Sequence, residues 1–156
     1  MAFSSIIFIF VFFPLSIIIY YLLPEKWRHK YLLLISFLFY LTTGIKNLLI
    51  LIALILFNFY ATKKMDKLVR KERKIFLCFI IIINVFLLLY YKYYFPFLDL
   101  IVGNSNFRKF IAPIGLSFYL FTILSYVFDV YKRKIKCEQN IISFALYISF
   151  FPKLLM

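Results

Sequence analysis

Gly115, Tyr119, Thr122, Tyr126 and Asp129 follow one another at intervals of four, three, four and three residues, with Ser125 beside them. On a helix that spacing gathers them on one face. Hydroxyls and a single carboxylate on one face can line a wet cavity or receive a polar substrate, but they do not pair a nucleophile with a base. The opposite side carries Leu116, Phe121, Leu124 and Phe128, which suits lipid or apolar packing. Polar groups in such surroundings are expensive unless a cavity or partner receives them, so this stripe is the candidate cavity-facing helix. Lys132 and Arg133, three and four residues beyond Asp129, offer its carboxylate an ion pair. Pro113 suits the first turn, where its missing N–H costs nothing.

The remaining chemistry-bearing residues read as ordinary. His29 is the only histidine and the obvious acid–base candidate, yet Glu25-Lys26-Trp27-Arg28-His29-Lys30 is a short basic stretch that predicts a solvated interfacial side chain. Cys78 and Cys137 lack the paired spacing of a metal or redox site and read as free thiols. No Gly-rich phosphate loop, Gly-x-Ser-x-Gly elbow or His-Glu-x-x-His pair occurs, so no residue is assigned a catalytic, cofactor-binding or metal-binding role. Asn58 and Asn84 interrupt apolar runs. An amide facing lipid would leave its polar atoms unpaired, so both are predicted to face protein and to bond between helices.

The elements that must position these residues are apolar helices. In 156 residues, 65% are hydrophobic, with 22 Phe and 13 Tyr, well above the usual share in soluble domains. This predicts an all-α integral membrane protein, a multispan helical bundle in a single transmembrane domain over 1–156. Its helices are expected at about 3–23, 31–43, 46–62, 75–92, 111–131 and 139–156. Residues 31–62 read as two short, tilted or partly interfacial helices broken at Thr42-Thr43-Gly44. The first run lacks a basic leader and a small-residue cleavage site, so it reads as a retained span rather than a signal peptide. Residues 93–109, with the turn signal Gly103-Asn104-Ser105-Asn106, read as an interfacial connection.

A net charge of +13 invites nucleic acid, but the cations sit in short clusters between apolar runs and build no reading surface. Three clusters, at 24–30, 63–74 and 132–138, hold 14 of them, against Lys46, Lys92, Arg108 and Lys109 in the alternate breaks. Short cytoplasmic loops are enriched in Lys and Arg, so these three read as solvated cytoplasmic loops and the N-terminus as extracytoplasmic. Anionic lipid is a modest additional contact for 63–74. Tyr20, Tyr21 and Trp27 suit the aromatic belt, and Lys92 among tyrosines suits snorkelling.

Three blocks carry a resemblance. Pro113-Ile114-Gly115-Leu116-Ser117-Phe118-Tyr119-Leu120-Phe121, Leu124-Ser125-Tyr126-Val127-Phe128-Asp129-Val130-Tyr131 and Phe144-Ala145-Leu146-Tyr147-Ile148-Ser149-Phe150-Phe151-Pro152 resemble the membrane-bound O-acyltransferases. The alginate O-acetyltransferase-like branch is nearest, its opening resembling Phe3-Ser4-Ser5 and Tyr20-Tyr21-Leu22-Leu23-Pro24. The resemblance implies the N-terminal part of a funnel-shaped helical fold in the inner membrane. It also implies an intact protein that O-acetylates a cell-surface polysaccharide. The family's catalytic histidine lies beyond the block ending at Pro152, and His29 does not inherit that role. With its last residues inside an apolar segment, the chain reads as an N-terminal portion that is inactive alone. No bound cofactor is implied, and the acyl donor is open. Implied partners are the lipid bilayer and accessory acetylation or polymer-export proteins, with no nucleic acid. Two other readings stand beside this one: D-alanyl transfer to teichoic acid on the same fold, and a non-enzymatic membrane protein such as a transporter subunit or scaffold. The absence of an inverted repeat or paired broken helices weighs against transport.

Overall fold

The computed structural model describes Phe10, residues 13–94, Phe97 and residues 115–150. The start of the first expected span, the connection over 98–109, Pro113 and the tail after Phe150 lie outside the described residues. Among those described there is no strand. The helices are α1 (Phe13–Leu22), α2 (Glu25–Leu41), α3 (Ile45–Asp66), α4 (Arg70–Leu89), α5 (Leu116–Tyr131) and α6 (Ile141–Ser149), and α4 runs on as a π-helical turn over Tyr90–Tyr94. Two are long and apolar enough to cross a membrane, Ile45–Asp66 with 22 residues and Arg70–Tyr94 with 25. At 1.5 Å per residue, the first spans about 33 Å, so α3 is longer than the short interfacial element read from 46–62.

The basic clusters at 24–30 and 63–74 are not open loops. Glu25 begins α2 directly after Pro24, and only residues 67–69 separate α3 from α4. Lys, Arg and Glu are good helix formers, so the charged runs continue the helices instead of ending them.

The chain divides into two compact units, residues 1–56 with 140–156, and residues 57–139. In the first unit α2 packs against α1 and α6. The buried face of α2 is Ile35, Ser36, Phe39 and Tyr40, and that of α6 is Phe144, Ala145, Ile148 and Ser149. Small residues on these faces let backbones approach closely. The buried serines of these two faces answer their own hydroxyls: Ser36 donates to the Leu32 carbonyl and Ser149 to that of Ala145, each at 2.8 Å. A buried hydroxyl without a partner would be costly. At Thr42-Thr43-Gly44 the chain turns from α2 into α3. The two threonine hydroxyls donate to the Phe39 and Tyr40 carbonyls at 2.7 Å, a second donor for carbonyls that already accept from the Thr42 and Thr43 N–H groups. Gly44 follows at φ 119°, a conformation that glycine alone takes without strain.

In the second unit α4 packs against α5. The inner face of α4 is Arg73, Leu77, Ile80 and Asn84, spaced by four, three and four. Ile75, Phe79, Ile82 and Phe86 are exposed on the other side, an apolar exterior of the kind lipid receives. The inner face of α5 is Leu116, Tyr119, Leu120, Ile123, Tyr126, Val127 and Val130.

Candidate functional site

The second unit has a polar interior, and Arg73 is its centre. Its side chain is 5% exposed and its Nη2 donates to Asp66 Oδ1 at 3.1 Å. The same nitrogen donates to the Val130 carbonyl at 2.6 Å, and the guanidinium lies 5.9 Å from the Tyr131 ring centroid. One cation therefore joins the end of α3, the start of α4 and the end of α5. Burying a charge costs several kcal/mol unless it is paired, and the last carbonyls of α5 carry the negative end of its dipole. Arg73 Nε and Thr62 Oγ1 are buried without a hydrogen bond. This arrangement corrects the reading of 63–74 as wholly solvated.

Farther along α3 and α4, Asn58 and Asn84 are fully buried and bond to each other in both directions. Asn58 Nδ2 donates to Asn84 Oδ1 at 3.1 Å, and Asn84 Nδ2 to Asn58 Oδ1 at 2.8 Å. Asn84 Nδ2 also reaches the Ile80 carbonyl at 2.8 Å. The two amides meet each other's needs without water or lipid.

The α5 residues singled out by spacing are distributed over several environments. Gly115 is not on the helix face but is its N-cap, at φ 76°. Tyr119 and Tyr126 lie in the packed face. Thr122 is half-buried and donates back to the Phe118 carbonyl at 3.0 Å. Ser125 is exposed and Asp129 half-buried. Among the described residues the ion pairs are Arg28–Glu25 and Arg73–Asp66, so Asp129 does not pair with Lys132 or Arg133. The physical reason is the turn that ends α5. Arg133 N bonds the Val130 carbonyl and Lys134 N that of Asp129, both at 3.0 Å, with Arg133 at φ 57°. That is the geometry in which a glycine usually closes a helix, and it redirects both cations.

Tyr126 holds the segment beyond this turn. Glu138 N donates to its hydroxyl at 2.8 Å, and the hydroxyl donates to Cys137 Sγ at 3.8 Å. Burial pushes the Cys137 thiol up, with the Tyr126 hydrogen bond acting in the opposite direction. Cys137 is buried and Cys78 exposed, and both are free. In the first unit His29 is exposed on the first turns of α2. It borders a shallow cavity of about 360 Å³ with Ser143, Leu146, Tyr147 and Phe150. Lys92, exposed in the π-helical turn, lies 5.9 Å over the Tyr93 ring. Among the described residues no cluster of His, Cys, Asp or Glu could hold a metal ion.

The site is thus a set of buried polar locks between apolar helices, the interior of a helical protein with membrane-length elements. Comparison with known proteins shows what the chain is similar to. The chain is 32% identical to the probable alginate O-acetylase AlgI of Azotobacter vinelandii, over 99% of this chain and 33% of that protein. It is 30% identical to its namesake in Pseudomonas aeruginosa, over 99% of this chain and 32% of that protein. A peptidoglycan O-acetyltransferase of Helicobacter pylori matches at 26% over 98% of the chain and 36% of its own length. No family model and no solved structure matches. The chain is thus similar along nearly its whole length to proteins named alginate O-acetylase, and it spans about a third of the length of the relatives it matches.

Proposed function

We propose that the chain is part of a membrane acetyltransferase that esterifies hydroxyls of a cell-surface polysaccharide. The carrying observation is the match along 99% of the chain to proteins named alginate O-acetylase, supported by a relative named for acetylating a second polymer, peptidoglycan. In this reading the chain crosses the inner membrane several times, with α3 and α4 among the crossings and the N-terminus outside. The three large basic clusters then face the cytoplasm, as the charge asymmetry favours. Partners are accessory acetylation or polymer-export proteins.

Acetyl transfer to a sugar hydroxyl needs a base to take the hydroxyl proton and donors to steady the charge that develops on the carbonyl oxygen. Asn58, Asn84 and Arg73 are held by bonds between or within helices, and His29 is exposed. Their role is to hold helices in register. Of the stripe, Thr122, Ser125 and Asp129, outside the packed core, border the substrate path, whereas Tyr119 and Tyr126 pack the interior; none supplies the base. In the relatives, two thirds of the length lies outside the stretch matched by this chain, and the proton-transfer machinery belongs there.

The test is base-labile acetate on surface polysaccharide, measured by proton NMR in cells lacking the gene and in cells complemented with it. Deletion is expected to remove the ester and the wild-type gene to restore it. Restoration by His29→Ala to within about twofold would agree with a solvated histidine, since loss of a general base costs on the order of a hundredfold or more. Unchanged acetate on deletion would contradict the function, and failure of His29→Ala alone would contradict the role given to His29.

A further inference from the structure

The α3–α4 turn at 67–69 and the segment that begins at Lys132 after α5 are far apart in sequence, yet they form one end of the second unit. Arg73 binds Asp66 at 3.1 Å and the Val130 carbonyl at 2.6 Å, and stacks over Tyr131. The turn at Arg133 then folds 132–136 back from the helix axis, and Tyr126 holds Cys137 and Glu138 beside α5. Two clusters that the sequence separates therefore make one surface. It carries ten cations from 63–74 and 132–136 besides Arg73, against Asp66, Glu72 and Glu138. Asp66 is already engaged by Arg73. All ten are exposed except Lys63, which is half-buried. Lys63 and Lys64 stand 5.5 Å over the Phe59 and Phe76 rings, with apolar stems along the helices and charges outward, as snorkelling residues do. Arg133 occupies a left-handed backbone conformation where glycine is the unstrained choice, so the turn keeps a cation at the price of strain.

We infer that this composite surface binds the headgroups of anionic phospholipids. The charge is complementary. The cations also lie at the joined ends of the two membrane-length helices, α3 ending at Asp66 and α4 beginning at Arg70, which is headgroup depth once those helices span. The inference rests on α3 and α4 crossing the membrane.

The test uses the whole chain reconstituted in phosphatidylcholine vesicles carrying traces of spin-labelled phosphatidylglycerol or spin-labelled phosphatidylcholine. Association of the anionic label is expected to exceed that of the neutral one by about fivefold or more at low salt, the effect of a single basic residue at an anionic surface. High salt should shrink the preference. Replacing Lys67, Lys71, Lys132 and Lys134 with Gln should lower the ratio, whereas Lys46→Gln with Lys92→Gln should leave it unchanged. Equal association of both labels with the wild-type chain, or a preference undiminished by the fourfold replacement, would overturn the inference. Alkaline carbonate extraction separates the underlying reading: release of the protein from vesicles would show that α3 and α4 do not span, whatever the lipid preference.

Discussion

Arg73 sits within Arg70-Lys71-Glu72-Arg73-Lys74, where residue type alone does not distinguish it from its neighbours. Its burial is legible only through spacing, because 73, 77, 80 and 84 extend the inner face of α4 one turn back into the charged run. The charge-cluster signal masked that periodicity. Arg73→Met should destabilise the second unit by about 2 kcal/mol through its lost charged hydrogen bonds, the Val130 carbonyl keeping only the bond from Arg133 N. Asp66 is 42% exposed, so water softens its share. Arg73→Lys should recover only part, since an ammonium lacks the guanidinium fork. Thermal unfolding in detergent gives both values, and a Met variant as stable as wild type would contradict the hub. Cys137 provides a pH test in a Cys78→Ser background. Its folded thiol holds the proton more tightly than an unfolded thiol, so its contribution to stability is full below the ordinary thiol range and falls as pH rises through it. Maleimide labelling of the folded chain should stay slow through that range, and a rate tracking a free thiol would contradict the buried setting.

At the scale of elements, the Asn58–Asn84 pair was accessible from sequence as two amides that had to face protein, although only the structure shows that they face each other. The interruption at Thr42-Thr43-Gly44 was legible because hydroxyls and glycine have known work at helix ends. The start of α5 was not, because Gly115 fits the helical spacing and its positive φ leaves no mark on that pattern. The ends of α3 and α4 were also obscured, since runs of Lys and Arg signal a loop by charge while favouring a helix by propensity. Interhelical hydrogen bonds within membranes average about 0.6 kcal/mol and reach about 1.7. Asn58→Leu or Asn84→Leu alone should cost at least the upper figure, because the remaining amide is stranded in the packed interface. The double replacement should cost less than the sum of the two singles. A double-mutant cycle by thermal unfolding measures this, and additive losses would contradict a direct pair.

For the whole molecule, composition foretold helices without strands, and three apolar blocks carried the resemblance that the relatives support. Neither composition nor spacing told which partners the buried polar residues would find, because that depends on how helices distant in sequence face one another. Most of the buried polar groups bond within their own unit. The most direct test is transfer of radiolabelled acetyl groups to surface polysaccharide in membranes from cells with and without the gene. Label entering the polymer as a base-labile ester only when the gene is present is the predicted result. Equal labelling in both membranes would contradict the assignment of this chain to polysaccharide O-acetylation.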